Sequence, residues 1–207
     1  MSAAEWVPEH ADIDALRQAA TACRGCELWE PATQVVFSAG NASAPLMLVG
    51  EQPGDSEDRR GIPFVGPAGK LLQRALAEAG VGVGDVYVTN AVKHFRFTER
   101  GSRRIHATPQ VTHLKACRPW LEAELQVVDP QLVVCLGASA AKSLLGPTFR
   151  LTAERGQVRE RDTAVGVRRV LATLHPSAVL RMQGPEHDEA FAGLVADLRT
   201  AAQAVGR

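Results

Sequence analysis

Four short apolar runs, separated by stretches in which apolar residues recur every three or four positions, set the plan of this chain. Leu46–Gly50, residues 86–89, Leu132–Leu136 and residues 169–173 read as buried strands. Between and around them the spacing is helical. Asp12 can cap a helix to about residue 22, with Ile13, Leu16 and Ala20 on one face. Residues 68–79 carry Leu71, Leu72, Ala75, Leu76 and Ala79 at helical spacing, and Gly80 is a suitable stop. Thr108-Pro109 can begin another helix, with the threonine as cap and the proline in its first turn, and Pro119 must kink that helix or start a new one. Residues 138–145 form a short helix. Residues 186–204 form an amphipathic one that turns Phe191, Leu194, Val195 and Leu198 inward. Residues 157–160 pair with 169–173 as a hairpin leading into the last strand. Apolar strands alternating with helices predict an α/β domain, a largely parallel four-stranded sheet covered on both faces. One domain is expected over 1–207, with 1–11 and 204–207 at its periphery.

In such a sheet, ligands bind beyond the carboxyl ends of the strands. Three turns follow strand ends here: Glu51-Gln-Pro-Gly-Asp55, the segment after Asn90, and His175-Pro-Ser177. The second opens into a basic, aromatic-bearing loop that ends in Arg103-Arg-Ile-His106. Between Lys93 and Arg118 the basic residues face Glu99 alone. Arginine suits phosphate, and a histidine at the loop's end is a candidate acid, base or nucleophile. The formal net charge of the whole chain is +0, so polyanion binding has to come from this local clustering.

An apolar fraction of 45% with 22% charged residues is that of a soluble globular protein. No stretch approaches a membrane span, and the first residues lack the basic start and apolar run of a signal peptide. A cytoplasmic monomer is expected, a setting in which stable disulfides are rare. Cys23-Arg-Gly-Cys26 is a close pair, whereas Cys117 and Cys135 stand far along the chain. The pair does not open a helix after a strand, as a thioredoxin motif would, and no second close pair completes a zinc ribbon. Four thiolates from three segments can enclose one metal centre, and Cys135 in its apolar strand can equally be a core thiol. The spacing leaves both readings open.

Gly50-Glu-Gln-Pro-Gly54, Pro63-Phe-Val-Gly-Pro-Ala-Gly69, Thr89-Asn90, His175-Pro-Ser177 and the order of the cysteines together resemble the iron–sulfur uracil-DNA glycosylases of family 4, from about Cys23 to Leu198. Two departures are informative. Gln52 stands where family 4 has alanine, and the arginine loop replaces a short lysine–cysteine turn. Both match the UdgX type, whose loop reads Lys-Arg-Arg-Ile-His, with Ser102 here at the lysine position. The resemblance implies the three-layer α/β/α glycosylase fold and a [4Fe-4S] cluster on Cys23, Cys26, Cys117 and Cys135. It implies uracil-containing DNA as the partner, single-stranded DNA included.

Within that resemblance, Phe64 stacks on the extruded uracil, Asn90 and Gln52 recognise it, and His175 meets the charge developing on its O2. Lys93, Arg103, Arg104 and Ser177 hold phosphate, and Leu180 wedges into the stack. His106 bonds to the sugar C1′, with Glu51 or Asp55 orienting it, and the protein stays trapped on its substrate. Two alternatives stand beside this reading: a glycosylase that turns over, with water as nucleophile, and a non-catalytic iron–sulfur nucleic-acid-binding protein. A dinucleotide-binding fold is disfavoured, since no G-x-G-x-x-G follows a strand.

Overall fold

A computed structural model describes residues 1–207. In chain order its elements are α1 (Ile13–Ala20), β1 (Ser38–Gly40), β2 (Leu46–Gly50), α2 (Asp55–Arg60), α3 (Pro67–Glu78), β3 (Val86–Asn90), β4 (Phe97–Arg100) and β5 (Arg103–His106). Then follow α4 (Val111–Val128), β6 (Leu132–Leu136), α5 (Ala138–Leu145), α6 (Leu151–Glu154), β7 (Arg159–Thr163), β8 (Gly166–Thr173), α7 (Pro176–Leu180) and α8 (Gly184–Ala204).

The four apolar runs lie side by side as β3-β2-β6-β8, all parallel. The sheet has six strands rather than four, because β1 and β7 add antiparallel edges to β3 and β8. β1 is three residues long, too short to show a period. β2 and β6 are buried along their whole length, as expected for strands covered on both faces. Along β6 the side chains alternate between two cores. Leu132, Val134 and Leu136 meet α3 and α8, while Val133 and Cys135 meet α1, α4 and α5. This is a three-layer α/β/α arrangement.

Asp12 caps α1 as expected, its Oδ1 accepting from the Ala15 N–H at 2.8 Å. α4 departs from expectation at both prolines. Its cap is Gln110 rather than Thr108, and His113 Nδ1 accepts the Gln110 N–H at 3.0 Å. Pro119 lies inside one continuous helix, where Trp120 and Leu121 anchor the following turn in the core. The expected periphery is partly core. Ala3 is 1% exposed and packs where a Cβ on Gly25 would stand 2.8 Å from it, and Ala204 and Val205 lie against the second core. No helix is long and apolar enough to cross a membrane.

Candidate active site

The carboxyl ends of β2, β3, β6 and β8 open into one cavity of about 550 Å³. The three turns singled out in the sequence converge there. Glu51, Gln52, Phe64, Asn90, His106, His175 and Ser177 all line it.

Register places Gly50 opposite Asn90 on adjacent parallel strands. A Cβ on Gly50 would stand 2.3 Å from Asn90 Oδ1 and 2.7 Å from Phe64 Cζ, so only glycine lets the amide and the ring meet there. Asn90 is 2% exposed, and its Oδ1 has no hydrogen-bond partner. A buried amide oxygen left unpaired costs about 1–3 kcal/mol, a cost that a bound donor removes. Phe64 is held at φ 56, in the left-handed region that non-glycine residues seldom occupy. Gly69 makes this geometry available, because a Cβ there would stand 1.7 Å from the Phe64 carbonyl oxygen.

Glu57, which the sequence reading did not single out, ties this loop to the first turn. Its buried carboxylate accepts the Gly66 N–H at 2.8 Å and the Gly54 N–H at 3.1 Å. Its position three residues after Gly54, at the start of a helix, is a capping-box signal that could have found it.

His175 is the residue that precedes α7, and its Nδ1 accepts the Ser177 N–H at 3.1 Å. Burial, followed by the charges of His106 and Arg181, pushes its pKa down to about 4. The ring is therefore neutral near pH 7. Since a backbone N–H can only donate, Nδ1 is unprotonated and the proton sits on Nε2. That leaves a donor for the cavity. The Ser177 hydroxyl lies 2.8 Å from the same Nδ1 and 3.4 Å from Arg181, so it serves the histidine before any phosphate.

The arginine loop is a β-hairpin, β4 paired with β5, turning at Gly101 with φ 60. Its root is clamped by Gln52. The amide oxygen accepts the Arg96 N–H at 3.0 Å, and the amide nitrogen lies 3.1 Å from the carbonyl oxygens of both Arg96 and Ala107. With two N–H groups satisfying two carbonyls, Gln52 acts first as a splint for the hairpin. Its amide nitrogen also stands 2.9 Å from His106 Nε2. The last hairpin residue, His106, is 49% exposed and faces the cavity, with Nε2 3.5 Å from Glu51 Oε1.

Three expectations are corrected here. Asp55 does not orient His106: it bonds Arg59 at 2.9 Å and Arg104 at 2.6 Å, and these arginines hold its carboxyl below the usual carboxylate range. Arg104 is not free for phosphate. It also bonds Asp58 at 2.7 Å and Thr33 at 3.2 Å, with its guanidinium 4.9 Å from the Phe97 ring centre, so it pins the hairpin to α2. Lys93 cannot reach DNA at all. It is 1% exposed, and its Nζ bonds Glu124 at 2.5 Å, Thr89 at 2.6 Å and the Asn90 carbonyl at 3.0 Å. Buried beneath the strand end, it fixes the backbone of Asn90 from below. Arg103 is exposed at the turn end of the hairpin, and Leu180 is exposed on α7 next to the cavity-lining Arg181.

All four cysteines are buried and unpaired. Cys23, Cys26 and Cys117 form one neighbourhood. The charges of Cys26 and Cys23 add to the burial that pushes the Cys117 thiol up to about 12, and Cys23 acts on Cys26 in the same sense. Trp120 Nε1 donates to Cys23 Sγ at 3.3 Å, and the Lys93 N–H donates to Cys117 Sγ at 3.3 Å, the N–H···S bonds that tune thiolate ligands. Cys135 stands apart, in mid-strand between Val49 and Ala172, and burial alone raises its pKa. Its side chain packs in the core beneath the sheet. His94 is a second candidate for the fourth donor, next in sequence to Lys93, whose N–H meets Cys117 Sγ. The histidine is 6% exposed and holds no hydrogen bond. The sequence did carry this signal, since His94 stands where the family 4 turn has its cysteine. Three soft thiolates and an imidazole suit an iron–sulfur centre. The side chains as placed do not close on a common point at metal-bonding distance.

Comparison with known proteins agrees with this arrangement. The family model for the uracil DNA glycosylase superfamily matches residues 37–199. The type-4 uracil-DNA glycosylase of Thermotoga maritima is 36% identical over 165 residues, covering 79% of this chain and 81% of the relative. That of Pyrobaculum aerophilum is 36% identical over 174 residues, with 82% and 85% covered, and that of Archaeoglobus fulgidus 36% over 172, with 81% and 83%. A cavity at the strand ends, an unpaired asparagine oxygen and a neutral histidine donor thus sit in a chain that belongs to the uracil-DNA glycosylase superfamily, alongside its type-4 members.

Proposed function

We propose that this protein excises uracil from DNA and that His106 becomes bonded to the deoxyribose C1′ in doing so. The observation that carries the covalent part is the placement of His106 in the uracil cavity, with Glu51 beside it. The flipped base enters against Phe64, and its polar edge satisfies Asn90. As the C1′–N1 bond breaks, its electron pair leaves with uracil, and the Nε2–H of His175 stabilises the charge growing on O2. Positive charge builds on the sugar, and a ring nitrogen of His106 donates its lone pair to C1′. The alkylated ring is then cationic. Glu51 accepts its remaining proton, and the ring ends neutral with a nitrogen–carbon bond that nothing in the site hydrolyses.

An iron–sulfur cluster on Cys23, Cys26, Cys117 and His94 would tie α1 and α4 to the segment after Asn90. Its contribution is structural, and no chemical step passes through it. The substrate is uracil-containing DNA, single strands included, engaged by a cytoplasmic monomer.

A second reading is a type-4 glycosylase that turns over, with water attacking C1′ and His106 only positioning the sugar. The matched relatives, named type-4 uracil-DNA glycosylases, fit it as well as they fit the first reading. Incubation with excess uracil-containing oligonucleotide separates the two. The covalent reading expects a band that survives denaturant and product no greater than the protein present. Abasic product in excess of protein, with no such band, leaves the turnover reading standing.

A further inference from the structure

A second cavity, of about 500 Å³, lies beside the hairpin's anchor. Thr33, which lines it, bonds both Arg104 and Asp58. Its rim includes Gly61 and the exposed Ile62, which lead directly into the Phe64 loop. The segment that lines this second cavity thus runs on within two residues into the loop that carries Phe64 in the first.

The chemistry of its walls is selective. None of the 13 lining residues is acidic, and two are arginines, the half-buried Arg17 and the exposed Arg24. Arg24 lies over the Trp29 ring, 4.2 Å from its centroid, and that indole is itself exposed. Arg17 pairs only with Asp14 on its own helix. At the floor, Ser38 is 8% exposed, and its hydroxyl neighbours the Tyr87 oxygen, to which it can donate while Tyr87 donates to Glu124, so no donor meets the serine's own lone pairs. Of the lining residues, His94 has a part in the reading above as a cluster donor and Thr33 as a partner of Arg104. Cations at the mouth suit a phosphate, an exposed indole suits a planar base, and a buried hydroxyl whose lone pairs meet no donor suits an N–H on a ring edge. The volume lies within the range of small-molecule sites.

We propose that this cavity is a second nucleotide site, with a base beside Trp29, its phosphate at Arg17 and Arg24, and the Ser38 hydroxyl on the base edge. The nucleotide can come from two sources, a residue flanking uracil in the same strand or a free mononucleotide. Continuity of the rim with the Phe64 loop favours the flanking residue, and that source rests on the uracil-DNA reading above.

The test uses the intact protein and two variants, Arg17→Gln and Trp29→Leu. Arg24 is left in place because it also bonds the Thr21 and Cys23 carbonyls, next to a cluster cysteine. Two probes carry 2′-fluorodeoxyuridine, whose glycosidic bond resists cleavage: a trinucleotide and an oligonucleotide of about fifteen residues. The reading is the ratio of their dissociation constants. A flanking-nucleotide site predicts that the longer probe's advantage falls about fivefold or more in each variant, equivalent to about 1 kcal/mol. A free-nucleotide site predicts that thymidine monophosphate binds the wild type by calorimetry and neither variant, with the ratio unchanged. If the ratio is unchanged and the monophosphate does not bind, the proposal is overturned. Failure of the uracil reading looks different: the wild type would bind uracil and thymine trinucleotides equally. The monophosphate titration would still decide on the second site. Arg17 is bonded only within its helix, so Arg17→Gln keeps the test open if Trp29→Leu fails to fold.

Discussion

His106 Nε2 stands 3.5 Å from Glu51 Oε1, across a cavity edge that joins the end of β2 to the end of the hairpin. The distance is longer than a settled hydrogen bond, as is common before substrate tightens a site. In the proposed reaction the carboxylate stabilises the positive charge that grows on the ring as its bond to C1′ forms. Glu51→Gln should therefore slow adduct formation by about tenfold to a hundredfold while uracil affinity changes little. Rapid-quench kinetics with a separate binding titration measures both. An unchanged rate would remove Glu51 from the chemistry.

The orphan Oδ1 of Asn90 makes recognition sensitive to two small changes. Asn90→Ala should weaken uracil discrimination by roughly 1–3 kcal/mol, leaving affinity for uracil-free DNA nearly as it was. Gly50→Ala should do the same from the other side, since its Cβ would collide with the asparagine oxygen and the Phe64 ring. Thermal melts alongside uracil and thymine oligonucleotide titrations check both. Wild-type discrimination in either variant would contradict the pocket described here.

Arg104 and Arg103 are adjacent in sequence and should behave differently. Arg104→Ala removes the partner of the buried Asp58 and should cost roughly 2–3 kcal/mol of stability, with the salt dependence of DNA binding unchanged. Arg103→Ala should leave stability alone and reduce the slope of log affinity against log salt by about one. Denaturant melts and binding at several salt concentrations tell the two apart. A reduced slope in Arg104→Ala would return it to the phosphate contacts.

The cysteines make a distinguishable set. Cys117→Ser and His94→Ala should each lower iron content and bleach the broad visible absorbance expected of a cluster. Cys135→Ser should keep both, at a modest cost in stability from a hydroxyl placed in an apolar strand. Loss of iron in Cys135→Ser with none in His94→Ala would restore the ligand set expected from sequence.

The central strands were legible because β2, β3, β6 and the end of β8 are apolar on both faces, a pattern that needs no tertiary information. α1, α3 and α8 showed their period of 3.6 for the same reason. The hairpin was not legible. Residues 96–106 are mostly charged or polar, with only Phe97 and Ile105 apolar, and their pairing depends on Gln52 and Asp55 reaching them from a distant turn. The same cause explains Lys93. Charge in a basic stretch reads as solvent-facing, and only the fold places Glu124 within reach of it. Cys135 was uninformative by composition, since a buried thiol and a ligand look alike in sequence. Asn90 and His175 reach the cavity because each stands at or just past a strand end, and strand ends of a parallel sheet share one edge; Phe64 comes from the connection between α2 and α3, where only its local motif marked it.

The central claim is that His106 itself carries the sugar. The protein is mixed with a uracil-containing oligonucleotide, denatured and digested with protease and nuclease, and the modified peptide is sequenced by mass spectrometry. The account predicts a deoxyribose adduct on His106 in the wild type. It predicts none in His106→Ala, in which water is free to complete excision. Sugar found on another residue, or uracil released from the wild type with no modified peptide, would contradict it.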